Sequence, residues 1–181
     1  MRKSQRKALT LMELLIVLAI LVIVAAIAIP VMSSMMTDTN TSVAGDQLRG
    51  LLAEARARAM EEGRPWRVGY LANTGTVQIA PEESSEWENA ATGEIEKIDL
   101  IRQELPKDII IALTQDDIAS RQDAGAPGSG WETIAVFLPF GNARDDGITY
   151  FGQAGYMPMR IVLRGLTGNV SIEMYDSSSQ P

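Results

Sequence analysis

The chain has 181 residues, 46% hydrophobic and 22% charged, long enough for one domain with a real core and short enough to argue against two. It contains no histidine and no cysteine, which excludes a disulfide, a cysteine or histidine nucleophile, a zinc finger and a histidine-based triad. The formal net charge of −7 hides an asymmetry: Arg2, Lys3, Arg6 and Lys7 precede a body of 173 residues that holds 12 basic against 23 acidic side chains.

Between Glu13 and Asp38 lie 24 residues without a charge, and Leu14 to Ile29 is wholly apolar. Leu9 to Met32 meets the roughly 20 residues that a helix needs to cross the hydrocarbon of a bilayer. The basic residues before it predict a cytoplasmic N-terminus and an acidic body on the far side of the inner membrane. Hydropathy alone leaves an anchor and a cleaved secretory signal both open. Glu13 points away from either plain reading, because a carboxylate beside hydrocarbon is costly and marks a functional position. Its local alternative is a capping box with Thr10, in which each side chain satisfies a free N–H of the first helical turn.

The apolar run continues into a second pattern. Ala44, Leu48, Leu51, Ala55 and Ala59 recur at three- and four-residue steps, and Leu52 widens the stripe. Arg49, Glu54, Arg56 and Arg58 form the wet side, and Gly63 and Pro65 offer a stop. One helix over Leu9–Met60, 52 residues, would be roughly 78 Å long. Pro30 lacks a backbone donor and predicts a kink, and Gly45 and Gly50 weaken the helix further. The segments are a basic leader (1–8), a membrane-spanning helix (9–32), its amphipathic continuation (33–62) and a β-rich head (63–181).

In the head, strand-like runs are Trp66–Tyr70, Thr76–Ala80, Ile95–Leu100, Ile109–Leu113, Thr133–Leu138, Met159–Leu163 and Asn169–Tyr175. Asn73-Thr74-Gly75 and Thr167-Gly168-Asn169 read as turns. Pro81–Gly93 and Thr114–Gly130 read as surface loops, and Trp87 in the first is expected to fold back on the sheet. The fold class is α+β: a long helix packed on a small, mostly antiparallel sheet pair.

The segment KALTLMELLIVLAILVIVAAIAIP closely resembles the start of type IV prepilins and type II secretion pseudopilins. These begin with a basic leader, a small residue, a hydrophobic residue, Thr, two aliphatics, a Glu and a long apolar helix. Here Ala8 stands for the usual Gly and Leu9 for the usual Phe, followed by Thr10 and Glu13. The resemblance implies cleavage between Ala8 and Leu9 by a prepilin peptidase, methylation of the Leu9 amine by the same enzyme, and assembly through Glu13 against the amine of a neighbouring subunit. Near the end, Phe137, Pro139 and Gly141 in FLPFGN, with a later Thr167-Gly168, resemble the minor pseudopilin H and FimT-like group.

The resemblance implies a minor pseudopilin of a type II secretion system, with no enzyme activity, cofactor or metal. Its partners would be the peptidase, other major and minor pseudopilins or pilins, an inner-membrane assembly platform and an exported protein. Two alternatives stay open: a minor type IV pilin in pilus assembly or DNA uptake, and a single-pass anchored β-domain that binds a soluble partner. Glu61-Glu62, Glu82-Glu83, Asp116-Asp117 and Asp145-Asp146 read as solvated surface, since none lies in a calcium-loop pattern. Nucleic acid is disfavoured by the acidic head, although Arg160 with Arg164, and Arg56, Arg58, Arg64 and Arg67, are the arginines that could build a basic face.

Overall fold

The computed structural model describes residues 11–72, 74–88, 100–119 and 130–174, and their side chains except at 29–38. It divides into two units, Met1–Asp38 and Thr39–Pro181. One helix, α1 (Leu11–Glu62), runs through both and is unbroken at Pro30. Its end follows from local chemistry. Gly63 adopts a left-handed φ of 66°, and its N–H donates to Ala59 O at 3.1 Å, which is the single-bond form of a glycine helix stop. Pro65 then prevents continuation.

The second unit is built on the face that the sequence stripe predicts. Ala44, Leu48, Leu51, Leu52, Ala55 and Ala59 are all buried, whereas Arg49, Gly50, Ala53, Glu54 and Ala57 are exposed. Eight strands follow: β1 (Trp66–Leu71), β2 (Thr76–Pro81), β3 (Ile101–Glu104), β4 (Ile109–Ala112), β5 (Trp131–Phe137), β6 (Gly147–Gln153), β7 (Met159–Arg164) and β8 (Asn169–Met174). They form two four-stranded sheets, β3-β2-β1-β5 and β4-β6-β7-β8, with every pairing antiparallel. The α1 stripe packs into one apolar cluster with Trp66, Val68 and Phe137 of the first sheet and Phe151, Ile161 and Leu163 of the second. Gly45 has a packing reason: a Cβ there would lie 3.3 Å from the Phe151 ring.

The α+β expectation and the sheet pair hold. Two strand expectations need correction. Leu100 is not in a strand and 95–99 lie outside the described residues, while the strand β3 begins at Ile101. The strand β6 is missing from the runs that the residue pattern marks. In GITYFGQ, Thr149 and Phe151 are buried inward, but Ile148 and Tyr150 are apolar on the other face, so the polar–apolar alternation that reveals a strand is blurred. The stretch Thr114–Gly130 also holds a short helix, α2 (Gln115–Ala119), pinned by fully buried Ile118 against Ile110 and Ala112.

Trp87, at the end of a 3-10 turn over Ser85–Trp87, does fold back on the first sheet. Its indole N–H donates to Pro81 O at 2.9 Å, its ring stands edge-on to Trp131 at 6.0 Å, and Arg67 stacks on it at 4.4 Å. Gly69 makes room, since a Cβ there would fall 2.7 Å from the Trp87 ring. Behind this layer, fully buried Gln78 accepts two hydrogen bonds from Arg102, which itself lies 5.3 Å over Trp131. Arg102 thus satisfies a buried amide oxygen and caps an aromatic face with one planar group.

Tyr70 is fully buried and its hydroxyl donates to the Glu132 carboxylate. Burial first, then that bond and the charges of Glu132 and Asp117, push the phenol well above its usual range. The sign follows by linkage. A raised folded-state value means the stability from protonated Tyr70 is complete below about pH 10 and is lost as pH rises beyond it. Alkaline titration followed by tyrosinate absorbance should therefore show a step for Tyr70 that coincides with unfolding. Tyr70→Phe should remove the step that coincides with unfolding; a step of the same size that persists would exclude Tyr70 as its source.

Candidate functional site

Two places carry the residues singled out from sequence: the N-terminal helix and the turns at one end of the head. Ala8, Leu9 and Thr10 lie outside the described residues. Glu13 lies in the first turn of α1, where its charge suits the positive end of the helix. Around it, Leu11–Ala28 has a mean hydropathy of 3.1 and none of it is buried within the chain. Leu14, Leu15, Leu18, Leu21 and Ile23 are each more than half exposed. An all-round apolar helix with no cover in its own fold belongs in lipid or against other helices.

The head turn is a built feature. Phe137 is fully buried and pairs with Trp66 at the start of β1. After it the chain reverses: Gly141 N–H donates to Leu138 O at 2.9 Å and Leu138 N–H to Asn142 O at 2.8 Å. Gly141 has φ 81°, a left-handed conformation that favours glycine, and Met60 Sδ packs over it. A second turn, Gly165–Asn169, locks onto the first. Ala143 N–H donates to Gly165 O at 2.8 Å, and Gly165 N–H donates to Asp146 Oδ1 at 2.5 Å. Gly168, at φ 64°, sits so close that a Cβ would come 2.1 Å from Gly141 O. Arg56 on α1 ties the pair down by donating from Nη2 to Thr167 O at 3.0 Å.

These turns place two side chains that the sequence did not mark. Phe140 is 94% exposed and Leu166 is 90% exposed. Nothing in the pattern sets them apart except an apolar residue flanked by turn formers.

Five of the six arginines that might have made a basic face are engaged within the fold, Arg56 through Thr167 O, while Arg164 is exposed. Arg58 pairs with Glu54 at 2.7 Å and stacks over Trp66, and Arg64 pairs with Glu62 at 2.7 Å. Arg67 stacks on Trp87 and bonds Trp131 O. Arg160 pairs with Glu173 at 2.9 Å, across the β7–β8 register rather than toward an open face. The acid pairs are accordingly less free than the sequence suggests. Glu82 receives both Nη atoms of Arg144, whose hydrogen bonds hold the Glu82 carboxyl below its usual range, and Asp117 accepts from Thr114. Among the described residues no group of three or more acidic side chains is arranged to hold a metal ion.

Comparison with known proteins gives two positive findings. The prokaryotic N-terminal methylation motif matches residues 3–29, which takes in the basic tip, Ala8, Leu9, Glu13 and most of the apolar run. Among solved structures, the minor pseudopilin EpsH from the type 2 secretion system of Vibrio cholerae aligns with a TM-score of 0.48 and 9% identity. That alignment covers 75% of this chain and 97% of EpsH. No curated protein matches in sequence.

The two turns give a paired prediction. Gly168→Ala forces a left-handed alanine into the Gly141 carbonyl and should lower stability by about 2–4 kcal/mol in denaturant unfolding. Phe140→Ser, at a side chain with almost no contacts in its own fold, should change it by no more than about 0.5 kcal/mol. Equal losses at the two sites would mean that Phe140 is not the free side chain described here.

Proposed function

We propose that this chain is a pilin-like subunit that works by non-covalent assembly, specifically a minor pseudopilin of a type II secretion system. The observation that carries the reading is a coincidence of two features. The methylation motif at residues 3–29 overlies an apolar helix, Leu11–Ala28, that is uncovered within the chain and continues as the α1 stripe that the head is built on. A plain anchor needs the hydrophobic length but neither the motif nor a carboxylate at Glu13.

In this reading a prepilin peptidase cuts between Ala8 and Leu9 on the cytoplasmic side and methylates the new amine. The segments then act as leader (1–8), membrane and filament-core helix (9–32), amphipathic stalk (33–62) and periplasmic head (63–181). Until assembly the protein is stored in the inner membrane as a single-pass chain. In the filament, Glu13 and Thr10 face the N-terminal amine of a neighbour. An amine and a carboxylate brought together in low dielectric attract strongly, yet either one left alone is heavily penalised. The pair therefore fixes register more than it adds raw stability. Pro30 lets the apolar half adjust its path against neighbouring helices, by removing one backbone hydrogen bond. The head meets other subunits, the assembly platform or an exported protein, and does no chemistry.

The second reading, a minor type IV pilin active in DNA uptake, requires phosphates to meet unpaired cations. It is weakened by the engagement of Arg58, Arg64, Arg67 and Arg160 within the head. The Phe137–Asn142 turn resembles a group that holds both secretion pseudopilins and FimT-like pilins, so the preference over a DNA-uptake pilin rests on the acidic head.

The deciding measurement is intact mass and N-terminal sequence of protein taken from membranes with and without a cognate prepilin peptidase. A chain that starts at Leu9 with one added methyl group is expected. A chain that keeps Met1 beside an active peptidase would overturn the reading in favour of the plain anchor. Glu13→Gln should then leave membrane insertion intact and abolish assembly; normal assembly of that variant would remove Glu13 from the mechanism.

A further inference from the structure

Within the second unit, α1 and β8 run alongside each other in opposite directions. Arg56 donates to Thr167 O just before β8, and a Cβ at Gly45 would lie 3.8 Å from Ile172 within it. Met174 is two residues further along β8, roughly 7 Å, and four residues of helix cover about 6 Å. Met174 therefore lies level with Thr39–Val43, where the chain enters this unit. The turn between β6 and β7 lies here too, because Met159 pairs with both Phe151 and Met174. The Phe140–Leu166 knob, formed by the two interlocked turns, is at the far end: Gly141 sits against Met60, about 30 Å along α1 from Thr39.

The entry end exposes apolar side chains. Met157 is 72% and Met174 75% exposed, and Val43 and Tyr156 are exposed as well. The turn that carries two of them is held in place: Tyr156 N–H donates to Gln153 O at 3.1 Å, Gly155 N–H donates to Ile118 O at 3.4 Å, and Pro158 is buried. Charge at this end is nearly balanced among the described residues. Glu173 is paired with Arg160, Asp46 lies 3.7 Å from Arg49, and Lys107 stands beside Asp108 and Glu104 just before Ile109, whose strand partner is Gln153. A tyrosine beside flexible thioethers, without a cluster of cations, suits the boundary between lipid headgroups and acyl chains better than it suits a charged partner.

The tether decides which apolar partner is at hand. Ten residues, 29–38, separate Thr39 from Ala28 at the end of the apolar span, and ten residues reach at most about 35 Å. Once Leu11–Ala28 is in a bilayer, the entry end is confined near that bilayer's surface, and a contact too weak to hold a free protein becomes populated. We infer that the head rests on the membrane surface through Val43, Tyr156, Met157 and Met174 while the chain is held by its helix. The contact is apolar and shallow, so it needs no anionic lipid, and the acidic body would be repelled by such lipid. The inference rests on membrane insertion of Leu11–Ala28, and it is independent of processing at Leu9 and of the machine that the chain joins.

The absence of native cysteine permits one label at a time. Full-length Met157→Cys, Phe140→Cys and Leu18→Cys chains are each labelled with an environment-sensitive fluorophore. They are reconstituted in phosphatidylcholine vesicles, with and without phosphatidylcholine spin-labelled near the headgroup. Emission from Met157→Cys should shift to the blue and be quenched several-fold more strongly than emission from Phe140→Cys, and high salt should leave both unchanged. Leu18→Cys, in the apolar helix, reports insertion by its own blue shift. Adding Tyr156→Ser and Met174→Ser to the Met157→Cys chain should cut its quenching several-fold, with an unchanged circular dichroism spectrum. If Leu18→Cys inserts while Met157→Cys is quenched no more than Phe140→Cys, the surface contact is overturned and the membrane-spanning helix stands. If Leu18→Cys does not insert, both fall. Quenching at Met157→Cys that ignores Tyr156→Ser and Met174→Ser would also overturn the contact.

Discussion

Burial of one stripe of α1 is the constraint that orders the second unit. Ala44, Leu48, Leu51, Leu52, Ala55 and Ala59 are the surface on which both sheets close. Neither four-stranded sheet has enough partners on its own, because a sheet needs a second layer to cover its apolar face. Alanine at three of the six positions lets strands approach the helix closely, and Gly45 extends that approach to the Phe151 ring. The larger leucines fill the space between. Removing bulk here would open a cavity common to both sheets, where the surrounding side chains relax only in part.

The same packing explains the use of arginine. A guanidinium can satisfy a carboxylate, cover an aromatic face and carry its charge to solvent at once. Arg58 and Arg64 both stand over Trp66, Arg67 over Trp87 and Arg102 over Trp131. Each of the three tryptophans of the chain therefore has a guanidinium on its face. An acidic body spends its few cations on structure, which leaves little for phosphates. This is a physical reason, beyond net charge, for ranking protein contacts above nucleic acid.

Much of this was legible in the residues. The α1 stripe and its stop at Gly63 followed from period and turn chemistry, and the structure places them where the pattern does. The turn at Phe137–Asn142 was legible because proline and glycine occupy positions that demand them. β6 was not, because apolar side chains on both faces erase the period of two. The exposure of Phe140 and Leu166 was not legible either. Hydrophobicity reports what a side chain prefers, whereas exposure depends on what the rest of the fold leaves uncovered. Arg56 shows the same limit: its role is set by Thr167, 111 positions away in sequence.

Among the described residues, the Leu11–Ala28 helix and the Phe140–Leu166 turns are apolar surfaces without cover, and they differ in kind. The helix Leu11–Ala28 is apolar all round and is satisfied by lipid or by other helices alike, since lipid tails are as apolar as leucine. Exchange between bilayer and helix bundle therefore involves little hydrophobic cost. The Phe140–Leu166 knob is small, charged at its edge and fixed in shape. Lipid offers it no shape to match, whereas a protein pocket does. A side chain held rigidly in place loses little entropy on docking.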